Sequence, residues 1–198
     1  MGKIVVSQFI TLDGVFEDPG GSEGTERGGW AFRFDRGAEG DQLKLDELTA
    51  AGALLLGRVT YEGFAQAWPS RTDEIGFADK MNGLPKYVVS STLRRGDWNN
   101  TTVLKGNLPD EVRRLKDHVD VDILIYGSGQ LVRALHEHDL IDEYRLMLYP
   151  VALGAGKRLF GEAAQPHAVR LAETRPAEEC LILIYHPRRA DGAPESAS

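Results

Sequence analysis

The stretch Ala53–Phe64, ALLLGRVTYEGF, decides how this chain is read. Ala53-Leu54-Leu55-Leu56 has the length and composition of a strand buried on both faces. It runs straight into Gly57-Arg58, and Thr60, Tyr61 and Glu62 fit a helix that starts at once. A strand that hands over directly to a helix leaves unpaired backbone N–H groups at the junction. Arg58 adds a positive charge there, so the junction suits an anion.

Upstream, Lys3–Ile10 (KIVVSQFI) is β-branched and mostly apolar, a second doubly buried strand, and Thr11–Val15 is its turn. Glu17–Gly29 is a long loop rich in Gly and acids. Loops of that length in compact domains often serve function. Trp30, Phe32 and Phe34 follow it; they either seal the loop onto the core or wall a planar ligand. Asp35–Ala51 has a helical pattern with Leu43, Leu45 and Leu48 inward, Asp41, Lys44 and Glu47 among the polar positions, and Gly52 as the stop.

Downstream, Val59–Ala67 is the helix after the junction, and Ser70–Gly83 is polar and irregular. Lys86–Ser91, Thr101–Leu104, Asp122–Tyr126 and Glu143–Tyr149 are further strands. Asn107-Leu108-Pro109-Asp110-Glu111 opens a helix to about Val119, with Pro in the first turn and acids at the positive end. Gln130–His138 is another helix, and Arg170–Thr174 pairs with Cys180–His186 as a terminal hairpin. The order β-α-β-α-β-β-α-β-α, then strands alone, predicts an α/β fold: a mostly parallel sheet covered by helices, with an antiparallel C-terminal edge. Residues 1–187 form the expected domain, and 188–198 is small, polar and expected to be a flexible tail.

Composition narrows the function classes. The chain has 198 residues with 42% apolar side chains, enough for one domain with a real core. Its net charge of −7 argues against broad nucleic-acid binding. The single cysteine, Cys180, allows no internal disulfide and fits a reducing compartment. No signal-peptide pattern opens the sequence, and no apolar run approaches the roughly 20 residues of a membrane span. A cytoplasmic protein without membrane partners is expected. His136-Glu137-His138 has the look of a metal motif, but i and i+2 diverge on a helix, so no metal site is expected.

Three strand ends carry small or hydroxyl residues just past an apolar run: Gly57-Arg58-Val59-Thr60, Ser90-Ser91-Thr92 and Gly127-Ser128-Gly129. Ligands of open α/β sheets sit at the carboxyl ends of strands. Two of these turns precede helices, small residues allow close backbone approach, and Arg58 is a bidentate phosphate partner. Together they point to a dinucleotide, although no Gly-x-Gly-x-x-Gly follows the first strand.

With SQFITLDGV at 7–15, LLLGRVTYEGF at 54–64, KYVVSST at 86–92, ILIYGSGQLVRAL at 123–135 and YPVALGAGKRLF at 149–160, the sequence resembles the dihydrofolate reductase-like superfamily. Within it, the chain resembles the C-terminal reductase domain of riboflavin-biosynthesis deaminase/reductase proteins. The resemblance implies a three-layer α/β/α fold with a mixed sheet of about eight strands. It also implies NADPH as hydride donor and reduction of a C=N or C=O bond in a pterin-, pyrimidine- or ribosylamino-type substrate. Matched residue by residue, it assigns Gly57, Arg58 and Thr60 to the cofactor phosphates and Ser90 and Ser91 to the adenosine 2′-phosphate. Gly127, Ser128, Gly129, Gln130 and Leu131 match the turn beneath the pyrophosphate, and Ser7 and Asp13 approach the nicotinamide. The preference for a 2′-phosphate is expected to rest on Arg58 above all, with Ser91 and Lys105 or Arg94, and Asp41 falls where the superfamily's helix acid lies, with Asp46 and Glu47 as rivals.

Three readings follow: an NADPH-dependent reductase of a small heterocycle, a nucleotide-binding module of the same fold without turnover, and a protein that self-associates through an apolar strand. The strand-only C-terminal region makes a homodimer the expectation under each.

Overall fold

Ile4, Val5 and Val6 are all shut off from solvent, so side chains from both faces of the first strand are buried, as the apolar run predicts. In the computed structural model, which describes residues 1–161 and 166–188, this strand is central to the sheet. In chain order the elements are β1 (Ile4–Thr11), α1 (Gly37–Ala50), β2 (Ala53–Gly57), α2 (Arg58–Ala67), α3 (Phe77–Gly83), β3 (Lys86–Val89) and β4 (Thr101–Leu104). Then come α4 (Leu108–His118), β5 (Ile123–Tyr126), α5 (Gly129–Glu137), β6 (Glu143–Tyr149), β7 (Val169–Ala177) and β8 (Cys180–Pro187). A short 3-10 turn, Trp30–Arg33, precedes α1. Of the expected tail, 188–198, all but Arg188 lies outside the described residues.

The sheet runs β4-β3-β2-β5-β1-β6-β8-β7. The first six strands are mutually parallel; β8 is antiparallel to β6 and β7 antiparallel to β8. Helices cover both faces. Val112, Leu115, Leu131 and Leu135 of α4 and α5 pack on Ile4, Val6 and Leu55. Leu48, Tyr61 and Met81 of α1, α2 and α3 pack on Val5, Leu54 and Leu56. A third cluster, including Trp30, Leu43, Met147 and Ile182, extends the α1 side over the antiparallel edge. Each fully buried Leu or Ile of this kind contributes about 1.5–3 kcal/mol relative to exposure. The three-layer α/β/α fold with its antiparallel C-terminal edge is therefore as expected.

Two local expectations need correction. Within Ser70–Gly83, residues 77–83 are helical, because Asp73 accepts the N–H groups of Phe77 and Ala78 and the turn buries Ala78 and Met81. In α1, Lys44 and Glu47 lie on the buried face together with Gly40, Leu43 and Leu48, whereas Leu45 is only partly covered.

Candidate active site

Because β3, β2 and β5 are neighbours, the three singled-out turns end side by side. Gly57 is level with Val89 in the β2–β3 register, so Ser90 follows directly beside it. The turns after β2 and β5 are locked together. Gly57 N–H donates to Ser128 Oγ at 2.9 Å, Ser128 N–H donates to Thr60 Oγ1 at 2.9 Å, and Ser128 Oγ–H donates to the Tyr126 carbonyl at 3.1 Å. Gln8, buried on β1, donates to the Gly127 carbonyl at 2.5 Å. Space is tight. A Cβ at Gly127 would stand 3.0 Å from Thr60 Oγ1, and one at Gly129 only 2.0 Å from the Phe16 ring. The Thr60 and Ser128 hydroxyls thus brace the two turns against each other.

The helix starts differ in a telling way. Asp35 accepts the first N–H of α1, Asp73 those of α3, and Asn107 caps α4. The starts of α2 and α5 have neither a side-chain cap nor an acid in the first turn. These two uncapped positive ends are the two that adjoin the glycine turns, and each favours an anion by about 0.3–1 kcal/mol. Arg58, on the first turn of α2, is exposed and pairs with Glu62 at 2.8 Å. An exposed i,i+4 pair of this kind is worth only about 0.2–0.5 kcal/mol, so it holds the Arg58 guanidinium weakly. Ser90 Oγ accepts the N–H groups of Thr92 and Leu93, which shapes its turn; Ser91, Arg94 and Lys105 are exposed beyond it. Gln130 is exposed at the start of α5, while the Leu131 side chain belongs to the core.

Ser7 and Asp13 take up different positions. Ser7 is buried under α1, in a polar layer with Lys44, Glu47 and Tyr126. Lys44 Nζ donates to Ser7 Oγ at 2.7 Å, Ser7 Oγ–H to Glu47 Oε1 at 2.8 Å, and Tyr126 O–H to the same oxygen at 3.1 Å. Lys44 also forms an ion pair with Glu47, and its ammonium lies 4.3 Å from the Tyr126 ring centre and 5.1 Å from that of Phe9. Burial pushes the Lys44 ammonium below the ordinary lysine value, against the pull of Glu47, and pushes the Tyr126 phenol well up. Asp41 does not join this layer. It sits on the outer side of α1, exposed, and is held by Arg36 Nε at 2.7 Å. Asp46 is also exposed, hydrogen-bonded by Gln42, so of the helix acids considered it is Glu47 that faces the sheet.

Asp13 binds loops. Its carboxylate accepts from Thr11 Oγ1 at 2.7 Å and from the N–H groups of Leu153 and Gly154 at 3.1 and 2.8 Å. The Thr11 hydroxyl, with those two N–H groups, pulls its pKa down to about 2. The loop at 17–29 is built around buried Asp18, which accepts from Glu23 N, Thr25 N and Thr25 Oγ1. Trp30 is buried and donates to the Glu17 carbonyl, and Phe34 packs edge-on against Tyr149, so these two aromatics seal the loop; Phe32 points into solvent. Lys157 is committed to Glu17. Among the described residues no cluster of His, Cys, Asp or Glu could hold a metal ion, and no helix is long and apolar enough to cross a membrane.

With this geometry in place, comparison with known proteins is decisive for kinship. The sequence description of the RibD C-terminal domain matches residues 2–183. The chain belongs to the RibD C-terminal domain family. The uncharacterized protein YyaP of Bacillus subtilis is 28% identical over 188 residues, covering 93% of this chain and 94% of its own. Among solved structures, a Shewanella sp. PV-4 protein superposes with a TM-score of 0.73 at 22% identity, over 94% of this chain and 99% of that one. The Thermotoga maritima diaminohydroxyphosphoribosylaminopyrimidine deaminase/5-amino-6-(5-phosphoribosylamino)uracil reductase gives 0.65 at 14% identity, over 94% of this chain and 57% of that one. Dihydrofolate reductase of Enterococcus faecalis, solved with NADP(H), gives 0.56 at 14% identity, over 94% and 97%. At these identities the superpositions establish the dihydrofolate reductase-like fold.

Lys44, Tyr126, Gln8 and Phe16 are not among the site residues read from sequence, and Glu47 enters there only as a rival to Asp41. A signal for two of them exists: positions 40, 44, 47 and 51 lie on the same helical stripe as Leu43 and Leu48, so a buried Lys-Glu pair is written into α1.

Proposed function

We propose that this RibD C-terminal domain protein is an NADPH-dependent reductase of a small pterin-, pyrimidine- or ribosylaminopyrimidine-type substrate. The observation that carries the reading is the pair of uncapped helix starts, α2 and α5, set beside the turns after β2 and β5, with the exposed Arg58 on the first turn of α2. These residues fit a dinucleotide. Gly57, Gly127 and Gly129 leave the backbone bare, the N–H groups at the starts of α2 and α5 meet phosphate oxygens, and Arg58 adds a charged fork. Ser90, Ser91, Arg94 and Lys105 stand on the β3 side, where the adenosine 2′-phosphate is assigned. When bound, the cofactor supplies a hydride to an electrophilic carbon of a C=N or C=O bond. The protein orients that carbon and provides the proton. The same reading takes the protein to be a cytoplasmic homodimer without nucleic-acid or membrane partners.

The test is loss of NADPH absorbance on addition of 5-amino-6-(5-phosphoribosylamino)uracil. Turnover is the expected result. A protein that binds NADPH and oxidises none of it with this compound would be a nucleotide-binding module instead.

A further inference from the structure

We propose that Lys44 is the proton donor of this reduction and that Glu47 is the positioning residue that holds its ammonium group in place. The proposal rests on the reductase reading and names the group that reading needs.

Position is the first argument. Ser7, whose Oγ accepts a hydrogen bond from Lys44 Nζ, is paired level with Tyr126 in the β1–β5 register. One residue beyond Tyr126 the glycine turn begins, and the Tyr126 carbonyl is bound by Ser128 Oγ, which also holds Gly57 N–H. Lys44 therefore lies a single residue below the turns assigned to the cofactor, on the sheet face that α1 covers.

Access is the second. Of the ion pair, the Lys44 side chain is 11% exposed and that of Glu47 0%. The carboxylate is sealed from solvent, and the lysine is the less enclosed partner. Glu47 Oε2 has no hydrogen-bond partner among the described residues, while Ser7, Tyr126 and Lys44 all address Oε1. A carboxylate so enclosed meets no substrate directly. Asp41, the expected acid, is on the outer side of α1 and tied to Arg36.

Charge is the third. The groups facing Lys44 are Glu47 and Arg36 from α1, Arg145 from β6 and Tyr126 from β5, with the uncharged Ser7 and Phe9 from β1. Burial and the two guanidinium groups loosen the proton on Lys44; Glu47 keeps the ammonium charged and aimed. A lysine of lowered proton affinity is a better acid than an ordinary one.

The step balances. The substrate carbon gains a hydrogen and two electrons as hydride, and the reduced nicotinamide, which gives them, ends oxidised. The C=N π pair forms a new N–H bond with the Lys44 proton as the Lys44 N–H bond breaks. The neutral amine then regains a proton from water.

The experiment compares wild type with Lys44→Arg, Lys44→Met and Glu47→Gln. NADPH affinity is measured by calorimetry, folding by thermal melts, and turnover with 5-amino-6-(5-phosphoribosylamino)uracil across pH. Arginine keeps the positive charge beside Glu47 but does not give up its proton. Lys44→Arg is thus expected to fold, to bind NADPH within about threefold of wild type, and to lose about 10²–10⁴-fold in turnover. Wild-type turnover is expected to fall as pH rises through the Lys44 titration, and that limb is expected to vanish in Lys44→Met, or in Lys44→Arg should the Met variant not fold. Glu47→Gln is expected to shift the limb to lower pH. Full turnover in Lys44→Arg, or an unchanged pH limb, overturns the proposal and leaves the reductase reading standing. Absence of turnover in wild type that still binds NADPH overturns the reading and the proposal with it.

Discussion

Ser128 adopts φ 58°, a left-handed conformation that costs a non-glycine residue about 1–3 kcal/mol. What offsets it is a double role: its N–H reaches Thr60, and its hydroxyl takes Gly57 N–H and gives to Tyr126. Two substitutions separate strain from bonding. Ser128→Ala keeps the strain and loses the hydroxyl bonds, and is expected to destabilise the fold by about 1–2 kcal/mol and weaken NADPH binding. Ser128→Gly loses the same bonds but relieves the backbone, and is expected to recover part of the stability and less of the affinity. Denaturant melts and calorimetry on the pair check this; equal stability for both would mean that strain at this turn is not a factor. At this scale the sequence told less than its motif implied. Gly57, Ser128 and Thr60 were legible as a group, because small and hydroxyl residues cluster after apolar runs. Their division of labour was not, since which hydroxyl faces a neighbouring turn depends on β2 and β5 lying side by side. Asp13 likewise was legible as a loop residue, but its partners Leu153 and Gly154 are far off in the chain.

Among the elements, α1 shows where period reading misleads. By type its polar residues belong to solvent, yet Lys44 and Glu47 share the buried stripe because the Lys44 ammonium and Glu47 Oε1 bond each other, Ser7 and Tyr126. A buried pair escapes hydropathy reading because its cost is cancelled by partners on other strands. The helix at 77–83 escaped for a different reason: it is short, and its start depends on Asp73 bending back. Most strands, by contrast, are legible to within two residues, because an apolar run marks them; β7 is largely polar and exposed, and it extends past the expected Thr174 to Ala177. Strand β3 carries its own buried cation. Lys86 is shut off from solvent, donates to the Asn82 carbonyl at 2.5 Å and lies 4.1 Å from the Trp98 ring centre. Burial pushes its pKa down to about 8. Between about pH 8 and the ordinary value of 10.5, the unfolded chain therefore binds more protons than the folded one, and stability rises with pH across that window. Melts of wild type are expected to show this rise and those of Lys86→Met to lack it. A rise of equal size in both would assign it to other groups.

Over the whole molecule, function follows from strand order. β5 inserts between β1 and β2, so turns separated by some seventy residues in sequence become neighbours. Order along the chain gave the fold class, but only the spatial order brings Gly57, Ser90 and Gly127 to one edge. A protein of net charge −7 gathers there two uncapped helix starts and Arg58. Long-range repulsion of an anionic cofactor is screened within about 8 Å at physiological salt, so these local positive ends decide. We propose that this edge holds the phosphates of NADPH, with Arg58 reading the 2′-phosphate. Calorimetric titration of NADPH and NADH into wild type and Arg58→Ala tests it most directly. The account predicts that wild type binds NADPH, that Arg58→Ala weakens it about 10–100-fold, a loss of about 1.4–2.8 kcal/mol, and that NADH binding changes by less than about threefold. No binding of NADPH to wild type at about 100 μM, within the usual range of working affinities, or an equal loss for both nucleotides, would contradict it.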